Sequence, residues 1–311
     1  MTLDQLLGRE RRDLFVPLSF RLSARLEQTD WEEMVEDTVY ATFALRNGSN
    51  LFGADGVVNW FDTHLESEAA GAVVERDEMG RVTQRLAIPD SIPDAGSVMQ
   101  RGAIPAALEV ARRLCEETLD KSAVLGYLTG LRTLLNHLFG EGEGNRLLQA
   151  ASSGEAPKED RDTLEDTFQI SLQLARAYCE AGVGGLLLAE EAGTDVSASA
   201  RLLAPVFNIA NYYGVPVMLL SRGPLTPRAK EEALQAGFRY VAAPDDGDPP
   251  EQTAVRSVPT ALCVREEAPV EDWVREQRGR GGGARIYVSE WELPAEAIPE
   301  NLIELGRSLK S

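Results

Sequence analysis

Eight short apolar runs, strung along the chain and separated by amphipathic stretches, limit the folds open to it more than any other feature. The runs are residues 14–19, 57–61, 123–128, 185–189, 215–220, 238–242, 260–264 and 286–289. They are apolar and often β-branched, as strands of a parallel sheet covered on both faces must be. Between them, residues 31–52, 104–119, 163–181, 198–213, 227–236, 270–278 and 299–309 repeat apolar side chains at helical spacing. Gly182 and Gly237 stand just past two of these patterns, where helices end. Such alternation makes βα units. Eight units without a break in composition predict an α/β chain folded as one closed (β/α)8 barrel over residues 1–311, as a single domain. Two segments depart from the minimal barrel. Residues 71–87 read as a β-hairpin inserted after the second strand, over the face where barrel active sites lie. Residues 140–162, rich in Gly, Glu, Ser and Lys, read as a mobile loop leading into a helix, suited to a lid or to a solvated connector. The glycine-rich turn 279–283 lacks the spacing of a phosphate loop.

Charge and cysteine usage narrow the function classes. The 311 residues carry 50 acidic side chains against 31 lysines and arginines, a formal net charge of −19. A surface of that sign repels phosphate backbones and anionic membrane leaflets, so neither nucleic acid nor membrane is an expected partner. The N-terminal residues are charged and have no apolar core of a secretory signal. Three cysteines, Cys115, Cys179 and Cys263, are scattered and form no CxxC. They predict a reducing cytoplasm with buried thiols, and no disulfide framework. A homodimer stays open as the assembly.

In a barrel, substrate meets the residues just past the C-terminal ends of the strands. Here those are Ser19 and Arg21, Asp62 and His64, Tyr127, Glu190 and Glu191, Ser221 and Arg222, Asp245, Arg265, and Glu290, Trp291 and Glu292. Converging carboxylates of this density transfer protons, or hold a hard cation or an amine. Asp62 is the leading candidate; the bland reading makes it a helix cap followed by two exposed acids, Glu66 and Glu68. With two histidines in the chain, any imidazole acid, base or ligand is His64 or His137. His137 lies in Leu-Asn-His-Leu-Phe, a setting that suits a packed residue as well as a proton carrier. No His/Cys set has metal-ligand spacing, so no metal is expected. The catalytic candidates are Asp62, His137, Glu190 and Glu191; the substrate-binding candidates are Arg21, Arg25, His64, Tyr127, Arg222 and Trp291.

Several motifs resemble those of the uroporphyrinogen decarboxylase superfamily, across nearly the whole chain. Arg12-Asp-Leu-Phe-Val-Pro17 looks like its Asp-Arg-Val-Pro strand, and Ala54-Asp-Gly-Val-Val-Asn-Trp-Phe-Asp62 like its second-strand motif. Glu66-Ser-Glu-Ala-Ala-Gly71 matches Glu-x-Glu-Ala-x-Gly, Ala123-Val-Leu-Gly-Tyr-Leu-Thr-Gly130 resembles the third-strand segment, and Pro299-Glu-Asn-Leu302 matches the opening of the last helix. The superfamily consists of single (β/α)8 barrels and includes the haem-pathway decarboxylase and corrinoid-linked or coenzyme-M-linked methyltransferases.

The resemblance puts the decarboxylase's central aspartate on Asp62 and its propionate-gripping Arg-x-x-x-Arg pair on Arg21 and Arg25. Its substrate-contacting tyrosine falls on His137, and its Asp-Ser-Trp-Ala-Gly stretch on residues 189–193, where Glu190 and Glu191 stand. The C-terminal Gly-His-Gly is replaced around Trp291. In the methyltransferase branch, the zinc-binding His-x-Cys falls on Leu220 and Arg222 and the C-terminal cysteine near Trp291, so the zinc ligands are absent. The arginines at the mouth stand beside many acids, and each uncompensated like-charge pair costs on the order of 1–4 kcal/mol against a substrate with eight carboxylates. The resemblance therefore implies a divergent member, not an authentic uroporphyrinogen decarboxylase. The expected function is a metal-independent lyase of decarboxylase type, moving a proton on a small molecule without a cofactor. In it Asp62 stabilises positive charge, Arg21 or Arg25 holds a carboxylate, and His137 or Glu190/Glu191 carries the proton. The alternative is a zinc-free methyltransferase working with a corrinoid or folate-type partner; the second alternative is a barrel kept as a binding module.

Overall fold

The computed structural model describes residues 1–89, 91–118, 121–153, 156–191, 199, 201–244, 255–279 and 285–311. Its strands, in chain order, are β1 (Leu14–Val16), β2 (Gly56–Val58), β3 (Val73–Arg76), β4 (Val82–Ala87) and β5 (Ala123–Thr129). They continue with β6 (Gly185–Glu190), β7 (Val217–Ser221), β8 (Tyr240–Ala242), β9 (Val255–Val258) and β10 (Ile286–Ser289). β3 and β4 pair antiparallel; all other pairings are parallel, in the ladders β2–β5–β6–β7–β8 and β9–β10–β1. Two contacts join the ladders into a ring. The Asp55 amide donates to the Phe15 carbonyl at 2.7 Å between β1 and β2, and Ser257 Oγ donates to the Ala243 carbonyl at 2.8 Å between β9 and β8. The parallel strands form the expected (β/α)8 barrel, and every residue in them is buried. Helices cover the outside and side chains fill the inside, which is why the strands read as continuous apolar runs.

The elements correct the sequence reading in three places. Residues 260–264 form a helix, Thr260–Val264, and the strand of that unit is β9, just upstream. β9 escaped notice because its sequence, Val-Arg-Ser-Val, breaks the apolar run with two polar side chains. Residues 31–52 make two helices, Trp31–Glu36 and Thr38–Leu51. Asp37 divides them: its backbone is extended (φ −110°, ψ 96°), and its Oδ1 accepts from the Val39 and Tyr40 amides at 2.9 and 3.0 Å. Within residues 140–162, Glu141–Ser153 form a helix where a loop was expected and Lys158–Glu180 begins earlier than expected, with Arg146 pairing Glu143 and Asp160 at 2.6 Å each. The helix expected over 198–213 is described as Ala204–Tyr213, and most of the 279–283 turn lies outside the described residues.

The hairpin stands where it was expected. Its tip, Met79 to Val82, lines the same cavity as the residues that follow β2, β6, β7 and β10. One large core cluster fills the barrel, and a smaller one, including Phe15, Phe52, Val258, Tyr287 and Leu302, lies under β9, β10 and β1. Among the described residues, no helix is long and apolar enough to cross a membrane.

Candidate functional site at the barrel mouth

The loop after β2 builds the centre of the site. Asp62 is 4% exposed, and both its oxygens are engaged: Oδ1 accepts from the His64 amide at 3.0 Å, Oδ2 from Arg76 Nη2 at 2.8 Å. Arg76 comes from the hairpin, pairs also with Glu68, and donates to the Gly80 carbonyl at 2.7 Å. Arg21 reaches the same hairpin tip, donating to the carbonyls of Met79 at 2.9 Å and Gly80 at 3.1 Å, and its charge pairs with Glu292. The guanidiniums of Arg21 and Arg76 each lie 5.2 Å from the centre of the Trp31 ring. Gly80 has φ +73°, and a Cβ there would collide with that indole. Five charged side chains and one indole thus fix the hairpin over the strand ends.

The two histidines meet. Their rings stack with centroids 3.8 Å apart and 12° between planes. Thr63 orients both: its Oγ1 lies 3.2 Å from His64 Nδ1, and its carbonyl 3.0 Å from His137 Nδ1. A carbonyl only accepts, so His137 carries its hydrogen on Nδ1 and leaves Nε2 bare in the neutral ring. That Nε2 lies 3.7 Å from Glu191 Oε1, an ion-pair separation longer than a hydrogen bond. His64 is held neutral: burial, and then His137 beside it, push it down to about 3. Glu191 is held below the usual carboxyl range by the His137 ring.

These groups surround a cavity of about 330 Å³. Arg21, Asp62, Thr63, His64, Glu191, Arg222, Trp291 and Glu292 line it, with Met79, Arg81 and Val82 from the hairpin and residues 293–295 from the loop after β10. Most charges on the wall are compensated within the protein. Arg21 pairs with Glu292, Asp62 with Arg76, and Arg81 with Asp77. Arg222 differs. Its guanidinium lies 5.7 Å from the Trp291 ring and has no acidic partner among the described residues. Trp291 in turn stands edge-on to Phe61, ring centres 5.2 Å apart.

The structure thus brings Arg21, Asp62, His64, Glu191, Arg222 and Trp291 to one cavity, with His137 directly behind Glu191 and His64. It does not bring Arg25, Tyr127 or Glu190 there. Arg25 donates to the Ala297 carbonyl at 2.8 Å. Tyr127 is fully buried against Phe61, ring centres 5.0 Å apart, and burial pushes its phenol well up. Glu190 caps the helix Leu131–Phe139, accepting from the amides of Arg132 and Thr133 at 3.3 and 3.1 Å and from Thr133 Oγ1 at 2.8 Å. Burial raises its carboxyl, and the carboxylate presses so close to Gly130 that no Cβ fits there. Glu290 likewise receives the Thr260 amide at 3.0 Å, and Asp245 lies outside the described residues.

Sequence reasoning missed Thr63 and Arg76, placed Glu292 at the mouth without giving it a role, and read Glu66 as an exposed acid. Arg76 and Glu292 meet their partners only through the hairpin and the β10 loop, which no local spacing announces. Thr63 had a signal: it lies between Asp62 and His64. Glu66 is completely buried, takes the Thr129 amide at 2.7 Å and the Thr129 hydroxyl, and is pushed up to about 7 by burial.

The described residues of this mouth offer no zinc site. Among the described residues no group of three or more His, Cys, Asp or Glu is placed to hold a metal ion, and no cysteine lines the cavity.

No family model and no curated protein matches the sequence. Solved structures do match. A methyltransferase from Methanosarcina mazei superposes with a TM-score of 0.78 over 98% of this chain and 96% of that one, at 14% identity. This chain shares that methyltransferase's fold. The homocysteine methyltransferase MmuM from Escherichia coli, apo form, covers 98% of each chain at a TM-score of 0.44 and 11% identity, too distant to weigh. The barrel fold expected from the sequence is therefore borne out.

Proposed function

We propose that the chain is a methyltransferase that works without protein-bound zinc on a compact acceptor carrying one anionic group. The observation that carries this reading is the charge distribution in the cavity: Glu191 backed by His137 at one side, Arg222 on Trp291 at another, and Arg21, Asp62 and Arg81 paired within the protein. It also weakens the decarboxylase-type lyase expected from the sequence, and favours what stood there as the alternative. The Asp62 carboxylate is already neutralised by Arg76, and Arg21 and Arg25, the pair that would grip propionates, are spent on Glu292 and on backbone carbonyls.

Methyl transfer to an amine, hydroxyl or thiol needs one proton removed. Glu191 faces the cavity and takes it; His137 Nε2 receives it 3.7 Å behind. The electron pair freed on the acceptor forms the new bond to the methyl carbon, and the old carbon–donor bond breaks with its pair staying on the donor. Arg222 and Trp291 hold the anionic end of the acceptor by charge and by the indole face. The hairpin covers the cavity and keeps water from competing. A donor of corrinoid or folate type supplies an electrophilic methyl group when bound. A cavity of about 330 Å³ does not enclose a corrin ring, so a corrinoid would stay on its carrier outside the mouth.

The test incubates the protein with a methylcorrinoid or a methylfolate and small carboxylate-bearing amines and thiols, and follows methylated product by mass spectrometry. Product is expected from the wild type, reduced about 10²–10⁴-fold in Glu191→Gln. Carbon dioxide release from carboxylated substrates, with no methylated product, would overturn the proposal.

A further inference from the structure

Beneath the stacked histidines lies a buried acid that the transfer chemistry leaves unused. Glu66 accepts the Thr129 amide at 2.7 Å and contacts the Thr129 hydroxyl through its second oxygen. That hydroxyl also lies 3.2 Å from the Thr63 carbonyl. The same carbonyl accepts His137 Nδ1–H at 3.0 Å. A continuous chain therefore runs from Glu66 through Thr129 and Thr63 to His137.

A hydroxyl has one hydrogen to give, so the chain has two directions. With Glu66 ionised, Thr129 donates to Glu66, and of these two donors only His137 serves the Thr63 carbonyl. With Glu66 protonated, Glu66 donates to Thr129, Thr129 turns to the Thr63 carbonyl, and His137 shares that oxygen with a second donor. We propose that Glu66 is a positioning residue whose proton sets the strength of the hydrogen bond holding His137, through the Thr129 hydroxyl and the Thr63 carbonyl. An ionised Glu66 strengthens that bond and places a negative charge on the side of His137 away from the cavity. Both effects favour the imidazolium that forms when His137 receives a proton from Glu191. This deepens the proton role given to His137 above and rests on it.

Burial pushes the Glu66 carboxyl up to about 7, so both directions of the chain occur near neutral pH. The other groups facing it are Asp62 on the loop after β2, Tyr127 on β5 and Tyr178 on the helix Lys158–Glu180, with His64 and His137 beyond Thr63. Burial keeps both phenols protonated in this range.

The experiment exploits the presence of two histidines. Protein labelled with ¹⁵N-histidine is titrated by NMR, assigned with a His64→Phe variant, while the Glu66 carboxyl is followed by ¹³C. In the wild type, the His137 ring nitrogens are expected to move at the midpoint of Glu66. Glu66→Gln should abolish that inflection. Thr129→Val, which keeps Glu66 and cuts the chain, should abolish it too, and it carries the test if Glu66→Gln does not fold. An inflection that persists in a folded variant, or a Glu66 titration to which the wild-type His137 ring does not respond, would overturn the coupling. The readout is the ring itself, so a failed coupling leaves the methyl-transfer reading intact, and a failed turnover assay leaves the coupling intact.

Discussion

His64 and Glu66 stand two residues apart and oppose each other in pH dependence. The Glu66 carboxyl rises from 4.5 to about 7 on folding, so its contribution to stability is fully present below pH 4.5 and is lost as pH rises through 7. At about 1.36 kcal/mol per unit this is roughly 3 kcal/mol. His64 falls from 6.5 to about 3, so its contribution is present above pH 6.5 and is lost as pH falls through 3. Between pH 4.5 and 6.5 the two slopes run in opposite directions. We expect urea melts of the wild type to be nearly flat there and to decline above it. Glu66→Gln should instead gain stability up to pH 6.5, and His64→Phe should lose it steadily from pH 4.5 to 7. Identical profiles for wild type and Glu66→Gln would refute the assignment. At this scale the sequence was half legible. Strand-end counting found Asp62, His64, Glu191 and Arg222, because a barrel delivers such positions to its mouth whatever the chemistry. It misplaced Glu190 because alternate residues of a strand point to opposite sides, and the neighbour of a cavity residue is spent on a helix cap.

Among the elements, the hairpin is the one whose position the site depends on. Removing Arg76 by Arg76→Met leaves Asp62 buried without its counter-charge, which typically costs about 3–5 kcal/mol. The double change Asp62→Asn with Arg76→Met removes that penalty, so it is expected to be more stable than Arg76→Met alone, a result readable from the urea midpoints. Gly80→Ala tests the tip independently: it meets both a left-handed backbone and the Trp31 ring, and should cost about 1–3 kcal/mol and weaken acceptor binding more than it lowers the melting temperature. The hairpin was legible from alternating residues around Asp-Glu-Met-Gly. The helix Glu141–Ser153 was not, since its glycines and glutamates match loop composition while the apolar pair it buries, Leu147 and Leu148, is too short to show a helical period. The Thr260–Val264 misreading has the same origin. A five-residue apolar segment has no period of its own, and Pro259 starting a helical turn decides it.

For the whole molecule, closure of the barrel rests on two seams, and they are unequal to the ladders they join. At the β1–β2 seam, Asp55 does most of the joining: its amide donates to the Phe15 carbonyl, its Oδ2 accepts the Phe15 amide at 3.0 Å, and Arg12 and Lys310 pair with its Oδ1 at 2.8 and 3.4 Å. Both ends of the chain are thus tied to one buried carboxylate. In the ladder it attaches, β9–β10–β1, Phe15, Val258 and Tyr287 pack on the smaller core cluster and Leu14, Val16, Val255, Ile286 and Val288 on the large one, whereas β5, β6 and β7 lie wholly within the large one. Local opening follows the weaker contacts. In native-state hydrogen exchange, the amides of β9, β10 and β1 are therefore expected to exchange at lower free energy than those of β5 to β7. Asp55→Ala, which strands Arg12 and the Phe15 amide, should lower protection of β1 and β10 by about 3–5 kcal/mol while β5 and β6 keep theirs until global unfolding. If instead all eight barrel strands exchange with a single free energy in both proteins, closure is part of one cooperative unit and the seam has no separate opening.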